Sequence, residues 1–546
     1  MAAPPLSSCL TKRRIIMRKA LWLFALVLAI ALPQVVSAQD APMEKVAASK
    51  GVFRLAMDAI PVCLDPHMQL SGGMLQYSTI SFDPLVRWTQ DHKSFEPRLA
   101  EKWERIDPLT IRFHLRHGVK FHSGNEFTAK DVVWTLDRLK KSPDFKGLYE
   151  PFEGAKAVDD YTVDIKTKKP YGLLLNMATY IFPMDSKFYT GTDAKGQDKG
   201  FINKTGYSFA NENESGTGPF LVKEYVPGQK VVFERFKNYW DKSSKGNIQT
   251  IVFTQINNDA TRVAALLSGD VDWIQPVPTQ DYERIKKASG MQLLTMPGLR
   301  VITFQMNGKR NKALADKRVR QAIVYAVNNA GIVAKIMQGK ATTADQNSPE
   351  GLVGHNPTLK PRYDLKKAQE LMKEAGQEKG FTVSMIAPNN RYVNDYKIAE
   401  AVASMLAKIN IKVDLKTMPK AQYWDEFDAK VADMQMIGWD PDTGDSGNYF
   451  EYLYMCPNKD TGMGAYNSGE YCNPKVDELT LAAQTETDPA KRAAELQEVE
   501  KILYDDAAFV PLHWQINSWA ADSRVKNARA IVNMMDFPHF GDLVVD

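Results

Sequence analysis

Residues 110–139 read TIRFHLRHGVKFHSGNEFTAKDVVWTLDRL. Ile111, Phe113 and Leu115 alternate with Arg112, His114 and Arg116. That period of two describes a half-buried strand. Gly118 marks a turn, a second short strand follows, and FTAKDVVWTLDRL then opens a helix. Thr128 takes the N-cap position and Asp131 stands three residues on, a capping box with Asp in place of Glu. The stretch also offers His114, His117 and His122 as metal ligands. His114 falls on the outward face of its strand, the other two lie across the Gly118 turn, and no helical H-x-x-x-H spacing exists. All three read as surface histidines, and no metal is expected.

The same grammar runs outward in both directions. KVVFERF (230–236), TIVFTQI (250–256), RVITFQMN (300–307), FTVSMIAP (381–388) and IKVDLKTM (411–418) read as strands. DATRVAALLSG (259–269) reads as a helix capped by Asp259 and stopped near Gly269. Apolar stripes mark DKRVRQAIVYAVN (316–328), DLKKAQELMKEAG (364–376) and NDYKIAEAVASMLAKIN (394–410) as helices. This strand–helix alternation in the second half predicts an α/β fold with a mainly parallel sheet.

At the N-terminus, Lys12, Arg13, Arg14, Arg18 and Lys19 precede an apolar run from Ala20 to Leu32, and small residues follow at Ser37 and Ala38. A basic head, an apolar middle too short to span a membrane and a small-residue exit describe a secretory signal peptide over 1–38. Met17 could equally serve as the start of that signal. Gln39, not Cys, follows the expected cut, so no lipid anchor is indicated there. The full chain has 69 basic and 65 acidic residues. Removing the leader leaves 508 residues with 64 basic and 65 acidic ones. The apparent basicity therefore belongs to targeting, and no basic tract interleaved with aromatics points to nucleic acid. A mature chain of this length needs at least two large lobes.

Three cysteines remain after the cut, Cys63, Cys456 and Cys472. Cys456 and Cys472 flank a turn-rich segment and are expected to pair, while Cys63 is left unpaired and buried.

GWDPDTGD, Gly438 to Asp445, is the stretch that most invites a functional reading. Asp440, Asp442 and Asp445 could hold a cation, run acid–base chemistry or meet the positive end of a ligand. The calcium reading fits in part: the acids stand at loop positions 1, 3 and 6, and position 12 is Glu451. The acid–base reading, that of an exported hydrolase, lacks any G-x-S-x-G, H-E-x-x-H or P-loop pattern to accompany it. A plain turn of solvated carboxylates is the third reading.

Seven ordered blocks carry a family resemblance: PRLAEKWE (97–104), RFHLRHGVKFHSGNEFTAKDVVWTLDRL (112–139), ESGTGPF (214–220), FKNYWD (236–241), RVAALLSGDVD (262–272), DKRVRQAIVYAVN (316–328) and GWDPDTGD. Together they make the chain resemble the large extracytoplasmic solute-binding proteins of ABC importers, family 5, the dipeptide- and oligopeptide-binding class. The resemblance implies a two-lobed α/β clamshell of the type II periplasmic-binding-protein class. Lobe I would cover 39–304, with an extra subdomain at about 85–210, lobe II would cover 305–511, and 512–546 would return to lobe I. It implies a periplasmic monomer in a Gram-negative cell, with no catalysis, no cofactor and no nucleic-acid partner. The solute would be peptide-like and the partner an inner-membrane permease complex. The same fold could instead take a sugar, an opine, a metal chelate or haem.

Matching by position then assigns residues. Asp442 would pair with the α-ammonium of the ligand, Trp439 would shield the pair, and Asp440 and Asp445 would serve as scaffold. Gly72 and Gly73 would offer backbone to the ligand from a loop, and Tyr180 and Phe182 would bring aromatic surface to the cleft. The chain departs from dipeptide binders where an arginine is expected to hold the ligand carboxylate. Tyr396 and Lys397 align there, and Arg391 precedes them in the loop.

Overall fold

The computed structural model describes residues 51–546 apart from Asp91, Lys93, Thr205, Asp442 and Thr487. The expected leader at 1–38, the first residues of the expected lobe I and Asp442 lie outside the described residues.

One sheet of eleven strands organises the chain. Its order from edge to edge is Lys412–Met418, Thr382–Pro388, Met434–Trp439, Met291–Met306, Phe509–Asp522, Trp273–Gln275, Val52–Met57, Thr250–Gln255, Lys230–Arg235 and Phe220–Val226. The short strand Ala341–Thr343 joins the side of Phe509–Asp522. Two parallel sets stand at opposite ends of this order. Thr382–Pro388 runs parallel to both Lys412–Met418 and Met434–Trp439. Val52–Met57 runs parallel to both Thr250–Gln255 and Trp273–Gln275.

Two long antiparallel strands, Met291–Met306 and Phe509–Asp522, cross between the sets. Trp439 lies opposite Val301 while Met434 lies opposite Met306. On the other side, Trp273 lies opposite Ala521 and Ile274 opposite Ala520. Both sets therefore aim their carboxyl ends at the middle of the crossing strands. There the ladder loses register, between Pro297 and Val301. The strand expected at 300–307 is the second half of the longer crossing strand, which runs antiparallel within an otherwise parallel group.

Helices supply the parallel crossovers, as parallel pairing requires. Asp395–Leu406 connects Thr382–Pro388 to Lys412–Met418, and Lys420–Asp428 leads from there to Met434–Trp439. The first buries Ile398, Ala399, Val402 and Leu406, a stripe at helical spacing. At the other end of the sheet Trp273 and Trp519 are fully buried. An aromatic of this size removes about 200 Å² from water, roughly 5 kcal/mol at the usual area coefficient.

A separate four-stranded antiparallel sheet lies in the 85–210 region, in the order Ala100–Asp107, Thr110–Leu115, Thr162–Thr167, Phe152–Asp159. Thr110–Leu115 buries Ile111, Phe113 and Leu115. Its other face sets Arg112 on Asp164 at 2.7 Å and His114 beside Glu104 at 3.0 Å. Edge strand Ala100–Asp107 carries Glu101, Lys102, Glu104 and Arg105, charges that discourage edge-to-edge pairing. Helix Ala129–Leu139 begins as expected, with Asp131 Oδ2 accepting from the Thr128 N–H at 2.8 Å.

The Cys456–Cys472 disulfide is formed, and Cys63 is free and buried. Burial, reinforced by the Asp65 charge, pushes the Cys63 thiol well above its usual range. Three expectations need correction. The cap of helix Asp259–Leu267 is Asn258, whose side chain accepts from the Thr261 N–H at 3.0 Å, and Asp259 is the first helical residue. Gly72 and Gly73 open helix Gly72–Ser81 and do not lie in a loop. His122 is not a surface histidine: its side chain is buried, with Nδ1 2.6 Å from Glu214 and Nε2 2.9 Å from the Gly218 carbonyl. Burial opposes its charge, yet the Glu214 carboxylate outweighs that and raises its pKa.

Candidate functional site

In open α/β sheets, ligands sit off the carboxyl ends of the parallel strands. Here three adjacent ends carry charge. Asp440 follows strand Met434–Trp439, Arg391 lies just beyond Thr382–Pro388, and Lys420 follows Lys412–Met418. Asp58 follows Val52–Met57 from the opposite set. Arg300, on the crossing strand, and Asp536, in the C-terminal segment, complete the cluster. Asn394 Nδ2 reaches Thr279 Oγ1 at 3.1 Å and ties the loop after Arg391 to the segment after Trp273–Gln275.

Arg300 and Asp440 are ion-paired and largely withdrawn from solvent. Burial lifts the Asp440 carboxyl above the usual carboxylate range, against the pull of Arg300 and Arg391. Burial raises Asp536 to about 7; Arg300 opposes this, and Asp440 and Asp58 add to it. Burial lowers Lys420 to about 7, with Arg391 and Arg300 repelling its charge and Asp58 attracting it. The site is thus a cluster of mixed sign in which burial displaces Asp536 upward and Lys420 downward.

The GWDPDTGD loop is built from both ends. Trp439 is buried, its Nε1 donates to Asn448 Oδ1 at 2.7 Å, and its ring stacks on Tyr452 at 5.0 Å and meets Tyr466 at 4.7 Å. Asp445 is scaffold. It accepts from Thr443 Oγ1 at 3.1 Å and from the Gly447 N–H at 2.9 Å, and Arg492 binds its other oxygen. Gly444 has φ +72°, and a Cβ there would stand 2.8 Å from His92 Nε2 and 3.0 Å from Trp88. Both the left-handed backbone and the close packing require glycine. Asn176 Nδ2 donates to the Thr443 carbonyl and fixes the loop from the far side.

The structure divides the other candidates. Tyr180 and Phe182 are buried and line a cavity together with Leu75, Trp88, Met535 and Phe537, on the side of the loop that Gly444 packs against. Arg391 joins the charge cluster. Its backbone N–H donates to Asp395 Oδ2 at 2.9 Å, and its guanidinium lies 5.0 Å from the Tyr392 ring centre. Burial raises Asp395 itself to about 6, partly offset by the backbone N–H groups of Tyr392, Arg391 and Tyr396. Tyr396 and Lys397, one turn on, are exposed and do not join the cluster. Asp440 departs from its expected place as outer scaffold, because Arg300 draws it into the centre. Glu451, the twelfth residue of the calcium reading, is buried and accepts from Gln484. Among the described residues no group of three or more potential ligands is placed to hold a metal ion.

Arg300, Lys420, Asp58 and Asp536 were not legible as site residues. Two left a trace. Arg300 is a charge inside an apolar strand run, and Lys420 stands in the first turn of a helix, where a cation opposes the helix dipole.

Residues 94–461 match the family described as bacterial extracellular solute-binding proteins, family 5 Middle. The chain is 30% identical to the dipeptide-binding protein of Escherichia coli K12 over 503 residues, covering 85% of this chain and 90% of that one. It is 28% identical to heme-binding protein A of Haemophilus influenzae, covering 89% and 91%. The periplasmic binding protein DppA of Helicobacter pylori, solved with the peptide STSA, superposes with a TM-score of 0.80 at 25% identity, covering 91% of this chain and 98% of that one. Among the described residues no helix is long and apolar enough to cross a membrane. Such end-to-end likeness, on a shared two-lobed type II α/β fold, shows that this chain belongs to the family 5 extracellular solute-binding proteins of ABC importers.

Proposed function

We propose that the protein captures a peptide-like, amine-bearing solute between two lobes and presents it to an inner-membrane ABC permease. The observation that carries this reading is the convergence of charged side chains from the carboxyl ends of both parallel sets on one place, the middle of the crossing strands. The lobes are 39–304 with 512–546, and 305–511. The leader at 1–38 exports the chain to the periplasm, where it acts as a monomer and catalyses nothing. The solute favours closure through the contacts it gains only when the lobes meet.

Asp442 takes the ammonium end of the solute by charge-assisted hydrogen bonds, strong where water is excluded. Trp439 stands at the base of that loop and shields it. Tyr180 and Phe182 supply an apolar wall for the side chains of the solute. Gly72 and Gly73, at a helix N-terminus, offer backbone N–H groups to it.

A non-peptide solute is the second reading. It is favoured by Tyr396 and Lys397, exposed where dipeptide binders are expected to place an arginine. The test separates the two. The purified protein is denatured, the released compound identified by mass spectrometry, and that compound added back in a thermal-shift titration. A released amine-bearing peptide that raises the melting temperature is expected. A sugar, haem or metal chelate released and rebound would replace the peptide reading.

A further inference from the structure

The carboxylate of Asp144 stands where the two proposed lobes meet. Lobe I alone fixes its position. Its Oδ2 accepts from the Leu70 N–H at 3.1 Å, and its Oδ1 pairs with the Lys204 ammonium at 2.9 Å. The turn that carries it is anchored in the same lobe, where Ser142 Oγ donates to the His67 carbonyl at 2.7 Å. Lobe II then reaches across. The Tyr466 hydroxyl donates to Asp144 Oδ2 at 3.3 Å, and the Tyr452 hydroxyl donates to the Asp144 carbonyl at 3.4 Å. Two residues on, Lys146 Nζ donates to the Lys459 carbonyl at 2.6 Å. Both sides line a cavity of about 200 Å³ between them, with Asp144 and Lys204 facing Asp428 and Tyr466.

Each partner of Asp144 leads to an element that faces the solute. Leu70 lies two residues before Gly72, where helix Gly72–Ser81 begins. The rings of Tyr466 and Tyr452 lie 4.7 and 5.0 Å from the ring of Trp439, at the base of the Asp442 loop. Tyr466 and Lys459 belong to a stretch without helix or strand between Leu453 and Pro474, and the Cys456–Cys472 bridge closes it. A cross-link restricts the conformations open to such a stretch. One carboxylate therefore receives a backbone donor from the solute-facing helix of lobe I and a hydroxyl from the aromatic cluster of lobe II.

We infer that Asp144 is a positioning residue that ties solute capture to closure: through Tyr466 it joins the helix start at Gly72 to Trp439, and this clasp sets how long the closed form keeps its solute. The inference deepens the reading above and rests on it. The Tyr466, Tyr452 and Lys146 hydrogen bonds form only where the lobes meet, so they stabilise the closed form and not the open one. Opening has to break them, and their loss is read in the rate of release. The bond from Tyr466 is the strongest of the three, because its acceptor is charged. A solute that fixes Trp439 also fixes the rings that reach Asp144.

Exchange kinetics test it. The ligand-stripped protein is loaded with di- to pentapeptides from a casein digest, gel-filtered and chased with the same digest made from isotope-labelled casein. Mass spectrometry gives the release rate of the retained peptides, and stopped-flow tryptophan fluorescence gives the association rate. Tyr466→Phe, which keeps the ring against Trp439, and Asp144→Ala should each release peptides about tenfold faster with association unchanged, the usual weight of a hydrogen bond to a charged group. Asp144→Asn, which keeps an acceptor oxygen, should fall between them and the wild-type protein. Tyr207→Phe loses a hydroxyl bond to Asp193 within lobe I and should release at the wild-type rate. Wild-type release from folded Tyr466→Phe would overturn the clasp, whether or not Asp144→Ala folds. Slower association with unchanged release would overturn it too, as would equally fast release from Tyr207→Phe. In these cases the wild-type protein still retains peptide and the peptide reading stands. No peptide retained by the wild-type protein would sink that reading and the inference with it.

Discussion

Asp440 and Arg300 form an ion pair withdrawn from solvent where a parallel strand meets the crossing strand. Asp536 also acts on Arg300 and has its own ionisation suppressed there. Removing the cation alone leaves an acidic group uncompensated. Arg300→Met is therefore expected to destabilise by about 3–5 kcal/mol, the usual cost of breaking one side of a buried pair. The double substitution Arg300→Met/Asp440→Leu should recover most of that loss. Urea unfolding followed by tryptophan fluorescence decides it; a double variant no better than the single one would mean the pair is not the coupled unit.

Two acids of one loop are expected to fail in different ways. Asp445 neutralises Arg492 and caps the turn, so Asp445→Ala should lower stability by about 3 kcal/mol through the orphaned guanidinium. Asp442→Ala should leave the melting temperature of the solute-free protein nearly unchanged and abolish most amine-solute binding. Calorimetric melting and titration of both variants check this. Unchanged affinity in Asp442→Ala removes the ammonium role.

The Cys456–Cys472 bridge closes a loop with a sequence separation of 16. On the chain-entropy account such a loop contributes about 3 kcal/mol. Cys456→Ser/Cys472→Ser should show that loss in equilibrium unfolding, and reductant should reproduce it in the native chain. A difference below about 1 kcal/mol would mean that packing around the segment suffices.

Glu451 gives a pH signature. Burial, with Gln484 opposing and Asp445 adding, raises its carboxyl to about 7 in the folded chain. The folded form therefore binds this proton more tightly than the unfolded form does. Its contribution to stability is fully present below the unfolded value near 4.5 and is lost as pH rises through 7. Glu451→Gln should melt like the native protein near pH 4.5 and above it at pH 8.5, by up to about 3 kcal/mol. A constant gap across that range would rule out Glu451 as the source.

Local order was legible and long-range assembly was not. The alternation in TIRFHLR, the stripe of the 395–406 helix and the Thr128–Asp131 box each announce themselves within a few residues, because their causes are local. The Cys456–Cys472 pairing was legible for the same reason. His122 was misread because its partner Glu214 lies 92 residues away. The charge cluster draws on Asp58, Arg300, Arg391, Lys420, Asp440 and Asp536, six positions that no spacing rule relates. Only the sheet order, which brings strand ends from both sides to one place, connects them. The loop containing Asp442 was legible as a turn, yet Asp440 moved from its periphery to the centre because Arg300 waits on another strand.

The crossing strands lose register between Pro297 and Val301, and Gly298 sits in that gap. A methyl group there would press to 2.7 Å from Asn517 Oδ1 and 3.0 Å from the Gln515 carbonyl. A second irregularity follows between Ile302 and Thr303, so bending is cheapest across this interrupted stretch. A bend of one end of the sheet against the other would find its least resistance in these few residues. Within that stretch stands a position where the neighbouring strand leaves no room for a side chain.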